Sequence, residues 1–174
     1  MKLLQGFPPV AAPDARVLIL GSMPGVASLE ATQYYAFQRN VFWKIMGDLF
    51  AAGPELDYLT RLRRLVGHHI ALWDVIANCH RPGSLDSAIA EDRMVTNDFD
   101  SFFRQHPHID HVYFNGQKAA SLFSKKVIPG LERHFEYQAL PSTSPAYAAK
   151  NYAAKLKAWS VISPRGRGSY RRSR

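Results

Sequence analysis

Four short stretches carry side chains able to do chemistry. Gly21-Ser22-Met23-Pro24-Gly25 follows an apolar run. Its two glycines let a backbone turn sharply and approach a ligand closely. Ser22 stands one residue after Gly21, not two, so the spacing of a nucleophile elbow is not met, and no Gly-Lys-Ser/Thr follows to make a P-loop. A strand-ending turn is the plainer reading. Residues 33–43 (QYYAFQRNVFW) set aromatics and an Arg-Asn pair ahead of a helical pattern. Asn40 can cap that helix, or its carboxamide can contact a base edge or orient a water. A tyrosine here can stack on a nucleobase, which contributes about 1–3 kcal/mol per base. Phe42 and Trp43 begin the apolar side of the helix and read as core. Asn115, before Gly116, closes another apolar run, and a polar amide there is costly unless it finds partners. It is either a cap or a reader of a ligand's hydrogen-bonding edge. Pro141-Ser142-Thr143-Ser144-Pro145 offers hydroxyls and backbone N–H groups suited to phosphate, or it is a plain loop.

The remaining polar candidates are weaker. His106, His108 and His111 lie close in sequence but match no metal-ligand spacing, so surface histidines are expected and no metal or cofactor is assigned. Asp74 interrupts an apolar segment and must be paired or solvated; it reads as structural, with a catalytic carboxylate as the other option. Cys79 is the one cysteine, which excludes an internal disulfide and a four-cysteine metal cage and fits a reducing cytoplasm.

These groups need elements to position them. Four apolar segments read as strands: 16–20 (RVLIL), 69–76 (HIALWDVI), 111–115 (HVYFN) and 135–140 (FEYQAL). The first two are nearly continuous, as in strands covered on both faces, and the last alternates, as nearer a sheet edge. Helical patterns cover 40–50, 56–66, 98–105, 117–126 and 146–160. The alternation predicts an α/β fold, a three-layer α/β/α sandwich around a central four-stranded, mostly parallel sheet. Ligands of such sheets sit outside the carboxyl ends of the strands, where residues 21–25, 77–84, 115–118 and 141–147 fall.

The 174 residues suit one domain, placed at 1–164, with 165–174 as a basic flexible tail. A hydrophobic fraction of 47% supports a sizeable core. The net charge is +8, of which the five arginines of 165–174 supply five, leaving +3 for the rest. A polyanionic partner is suggested. No apolar run approaches the roughly 20 residues that cross a bilayer, and the opening residues break too early for a signal peptide. A cytoplasmic monomer away from membranes is the expectation.

Taken in order, the motifs resemble those of the uracil-DNA glycosylase superfamily. Gly21–Gly25 followed by Asn40-Val41-Phe42-Trp43 is similar to the first motif of the mismatch-specific uracil/thymine enzymes. The likeness is closer to the hypoxanthine (deoxyinosine) DNA glycosylase branch. It is carried by Tyr34-Tyr35-Ala36, Arg39-Asn40, Leu72-Trp73-Asp74-Val75, Arg81-Pro82-Gly83-Ser84-Leu85-Asp86, Phe114-Asn115-Gly116-Gln117 and Leu140–Ala146. The resemblance implies that Gly21, Ser22, Met23, Tyr35 and Asn115 bind the base, with Tyr35 stacking on it. It places Ser142, Thr143, Ser144 and Pro145 in the loop that pushes into the duplex. Met23 stands where the mismatch-specific enzymes have a water-positioning Asn, and Ser144 where the second motif has His. In the hypoxanthine branch the Asn of Arg-Asn-x-Phe-Trp takes the catalytic part, which here is Asn40.

The implied activity is a monofunctional DNA repair glycosylase that flips out a deaminated base, hypoxanthine first, and hydrolyses its N-glycosidic bond to leave an abasic site. Uracil, xanthine or a G:U/T mismatch is the alternative substrate. A catalytically silent DNA-binding module and a small-molecule hydrolase are the alternatives of other classes. Removing residues 165–174 is expected to weaken DNA binding at low salt while leaving base choice unchanged; affinities across a salt series on duplexes with different deaminated bases test this.

Overall fold

In the computed structural model, residues 3–164 are described, so the expected tail at 165–174 lies outside the described residues. In chain order the elements are β1 (Leu3–Gln5), β2 (Val17–Gly21), α1 (Val26–Ala31), α2 (Phe42–Phe50), α3 (Tyr58–Gly67), β3 (Ile70–Asp74), β4 (Ile76–His80), β5 (Val95–Thr96), α4 (Phe99–Gln105), β6 (His111–Asn115), α5 (Gln117–Lys126), β7 (Glu136–Leu140) and α6 (Tyr152–Trp159). The central sheet has the order β3-β2-β6-β7. Every pairing in it is parallel, so it is wholly and not mostly parallel.

Strand periodicity divides the core. Leu18 and Leu20 of β2 face Phe99, Phe102 and Phe103 of α4 and Leu122 and Phe123 of α5. Val17 and Ile19 face Phe42, Ile45 and Met46 of α2, Leu65 of α3 and Trp159 of α6. The expected three-layer sandwich follows: helices on both faces, and a central strand buried along its whole length. The outer β7 alternates between exposed and covered residues, as its sequence pattern predicts.

Three features were not read from the sequence. The segment 69–76 is two strands. After Asp74 the chain donates Val75 N–H to Gly21 O and Ile76 N–H to Ser22 O, then leaves for a second, antiparallel sheet of order β1-β4-β5. Helix α1 follows directly after Gly25. The final helix starts at Tyr152 and not Ala146, because the Asn151 side chain accepts the Ala154 N–H at 2.9 Å and caps it there. Asp57 and Asp98 cap α3 and α4 the same way. His106 is a further correction: it is buried, its Nδ1 2.8 Å from Phe102 O and its ring packed on Phe102. Among the described residues no group of three His, Cys, Asp or Glu side chains could hold a metal, and no helix is long and apolar enough to cross a membrane.

Trp159 joins the layers. It is fully buried, meets Phe42 edge to face and donates its indole N–H to Pro141 O at 2.9 Å. Trp159→Ala is expected to cost about 3–5 kcal/mol, read from urea unfolding, since it leaves both a cavity and an unpaired carbonyl.

Candidate active site

A cavity of about 600 Å³ opens at the carboxyl ends of the central strands. Gly21, Ser22 and Met23 line it from the end of β2, Asp74 from β3 and Asn115 from β6. Tyr35 and Asn40 enter from the segment before α2, and Ser142, Thr143, Ser144 and Pro145 from the loop after β7. Every site residue expected from the sequence therefore borders one space, although the residues do not all face it in the same way.

Asn40 precedes α2, and its Oδ1 accepts the Phe42 N–H at 3.0 Å. A backbone N–H can only donate, so this bond fixes which end of the carboxamide is oxygen. The Nδ2 hydrogens are left for a ligand in the cavity. Tyr35 has a left-handed backbone, φ 56°, which costs a bulky residue on the order of 1–3 kcal/mol. Its neighbours enforce it. Tyr34 N–H donates to Tyr58 Oη, Trp43 Nε1–H donates to Tyr34 O, and Ala36 N–H donates to Ser28 Oγ. One face of the Tyr35 ring is stacked on Phe42 with centroids 3.9 Å apart. The neighbouring Tyr34 is core: its hydroxyl donates to Pro8 O, and burial, then the charge of Asp74, holds its pKa far above the ordinary phenol value.

Gly21 explains how the floor is assembled. A Cβ at Gly21 would overlap the Asp74 carboxylate and lie 3.2 Å from Tyr35 Oη. The bare glycine is what lets both oxygens come over the end of β2. Asp74 is 3% exposed, and its main-chain oxygen accepts Asn97 Nδ2–H at 2.7 Å, so the residue is held on its backbone side as well.

The loops are tied to one another by the half-buried Asn115 and the buried Thr143. Asn115 accepts the Thr143 N–H at 2.9 Å and donates to Thr143 Oγ1 at 2.8 Å. Thr143 O in turn accepts Val41 N–H at 3.1 Å. Asn115 thus borders the cavity with one amide hydrogen still to give. Thr143, expected among the DNA contacts, has 0% exposure and joins the two loops. Gly116 has φ 96°, and a Cβ there would lie 3.2 Å from Ser142 Cβ, so the loop after β7 comes close to the end of β6.

Sequence reasoning gave no role to two cations. Arg81 is buried; its Nε donates to Gly83 O at 3.0 Å and its Nη2 to Pro24 O at 2.5 Å, fixing the Gly21–Gly25 turn. Next to it, Ser84 Oγ accepts the Val26 N–H that opens α1. Lys155 of α6 donates to Tyr147 O at 2.9 Å and Ser144 O at 3.3 Å, and burial lowers its pKa. A basic residue inside a Pro-Gly-rich turn, or on the inner side of a helix, is the signal that would have found them. Arg81→Ala is expected to destabilise the fold by about 1.5–3 kcal/mol in thermal or urea melts, because two or more carbonyls lose a charged donor.

Comparison with known proteins agrees with this geometry. The sequence profile of the Uracil DNA glycosylase superfamily matches residues 8–163. The chain is similar to a hypoxanthine DNA glycosylase of Methanosarcina barkeri, 36% identical over 116 residues, covering 66% of this chain and 72% of that protein. It is similar to a hypoxanthine DNA glycosylase of Methanosarcina acetivorans, 34% identical over 143 residues, covering 82% and 87%. A solution NMR structure of a candidate uracil DNA glycosylase from Methanosarcina acetivorans superposes with a TM-score of 0.76 at 30% identity, covering 92% of this chain and 96% of that one. The chain therefore belongs to the uracil DNA glycosylase superfamily, and with that membership it is a DNA glycosylase, an enzyme that hydrolyses N-glycosyl bonds.

Proposed function

We propose that the chain excises hypoxanthine from DNA, with Asn40 as its catalytic residue and Tyr35 as the platform for the flipped base. The observation that carries the reading is the meeting of Tyr35, Asn40 and Asn115 in one cavity at the strand ends. The target bond is hidden in a duplex, so the nucleotide must leave the stack at a cost of a few kcal/mol, less for a poorly paired base. Phe42 covers one face of Tyr35. The other face is the platform on which the purine stacks.

Water adds its oxygen to C1′ as the bond to N9 breaks, the bonding pair stays on the base, and the water's proton is lost to solvent or base. The transition state places positive charge on the sugar and negative charge on the departing purine. Asn40 presents donors, since its oxygen is committed to Phe42 N–H. Asparagine cannot take a proton near neutrality. Its contribution is therefore to stabilise charge on the base and to position, not to act as general base. Among the described residues that line the cavity there is no lysine, and Lys118 is paired with Glu91. This favours simple hydrolysis and an intact abasic strand over a Schiff-base lyase. Ser142, Ser144 and Pro145 at the mouth contact the duplex in this reading.

The test is an end-labelled duplex with one deoxyinosine, deoxyuridine or deoxyxanthosine, incubated with the protein and then with alkali. A break at inosine is expected, and no break at any of the three overturns the reading. Asn40→Asp keeps the acceptor for Phe42 N–H but removes the donors. It should slow release by roughly 10²–10³-fold with DNA affinity held within a few-fold.

A further inference from the structure

We infer that the Asp74 carboxylate determines specificity, accepting the N–H that deamination creates on the pairing edge of a base. The inference rests on the glycosylase reading and names what its pocket selects. Asp74 stands at the end of β3 in register with Gly21, and its side chain occupies the space a Cβ there would fill. It lines the cavity while 3% exposed, on a backbone held from both sides by Asn97 Nδ2–H and by the Val75 N–H to Gly21 O bond. A carboxylate placed this way is a fixed, desolvated acceptor. Its two oxygens offer about four lone-pair sites, so a bond to a neighbouring group leaves room for a ligand.

The chemistry of deamination supplies the partner. Adenine N1 and cytosine N3 are acceptors. In hypoxanthine and uracil the same atoms carry hydrogen, and the amino group beside them has become a carbonyl. A buried acceptor facing that atom gains a hydrogen bond with the deaminated base and meets a lone pair with the parent base. Sites built on one buried polar contact reject the analogue lacking it far more strongly than apolar pockets reject a missing methylene. Guanine also carries N1–H, so Asp74 separates deaminated bases from adenine and cytosine and not from guanine. The negative charge of the leaving purine collects at the imidazole end, away from N1, so the carboxylate opposes departure only weakly.

The test compares single-turnover release from duplexes holding deoxyinosine or deoxynebularine, a purine with neither N1–H nor a 6-oxo group. The wild-type chain is expected to favour inosine by about 100-fold or more, and Asp74→Ala to bring the ratio to within about 5-fold. Affinity for a duplex containing an abasic site, which has no base to read, should be unchanged in the variant and shows that it is folded. A wild-type ratio near one, or a ratio kept by Asp74→Ala, overturns the inference. The same pair of duplexes is bound to Asn40→Ala, where release is suppressed, and the preference for inosine must again be lost when Asp74→Ala is added. A wild-type chain that releases no base would fail the glycosylase reading instead, and this binding comparison would still decide the role of Asp74.

Discussion

Backbone carbonyls and N–H groups that leave a buried sheet must find partners, and the cavity of this protein depends on which partners they find. Four strands end side by side with their loops in the same space. Left to themselves such loops are mobile and would not hold a 600 Å³ pocket open. Here the segments after β2, β6 and β7 are fixed by side chains from other parts of the chain. Arg81 holds the turn after β2, Asn115 and Thr143 bind the loops after β6 and β7 together, and Lys155 and Trp159 of α6 hold the far side of that last loop. Arg81, Thr143, Lys155 and Trp159 are buried and Asn115 is half-buried, so the ties operate largely away from competing water.

Strain is stored at the point where these ties converge. Tyr35 sits in a backbone conformation it would not choose, and the surrounding bonds leave it no alternative. Gly21 does the reverse, giving up a side chain so that Asp74 and Tyr35 approach over its Cα. On the proposed reading Tyr35 is the platform for a flipped base; a rigid platform lowers the entropy lost when a base is ordered against it, and that saving offsets part of the cost of drawing the base out of the helix. Preorganisation thus acts on the flipping equilibrium as well as on the chemical step.

Much of this was legible in the chain. Strong apolar runs located the four central strands, and period-3.6 patterns located α2 to α5, because burial on a sheet leaves a dense one-dimensional signal. The order of motifs placed Gly21–Gly25, Tyr35, Asn40 and the 141–145 loop on one rim. What was lost is what composition cannot encode. The run through Asp74 to His80 is apolar on both sides of a change of sheet, so hydrophobicity gave no break. His106 and Thr143 are polar residues that found partners inside, which depends on geometry alone. For Asn115 the sequence left a cap or a base reader open, and the structure shows an amide largely spent on Thr143.

That last point bears on how the enzyme divides its labour. A carboxamide with both ends engaged holds shape better than it reads a ligand, and Asn115 is closer to that condition than Asn40. On the reading proposed above, recognition falls to the Asp74 carboxylate and the Tyr35 ring, and the transition state to the donors of Asn40. Neither asparagine accepts a proton, so neither can make water a stronger nucleophile. On the same reading, selectivity for deaminated bases rests on the hydrogen bond that the base offers, and the asparagines shape the pocket and meet the charge that develops on the leaving base.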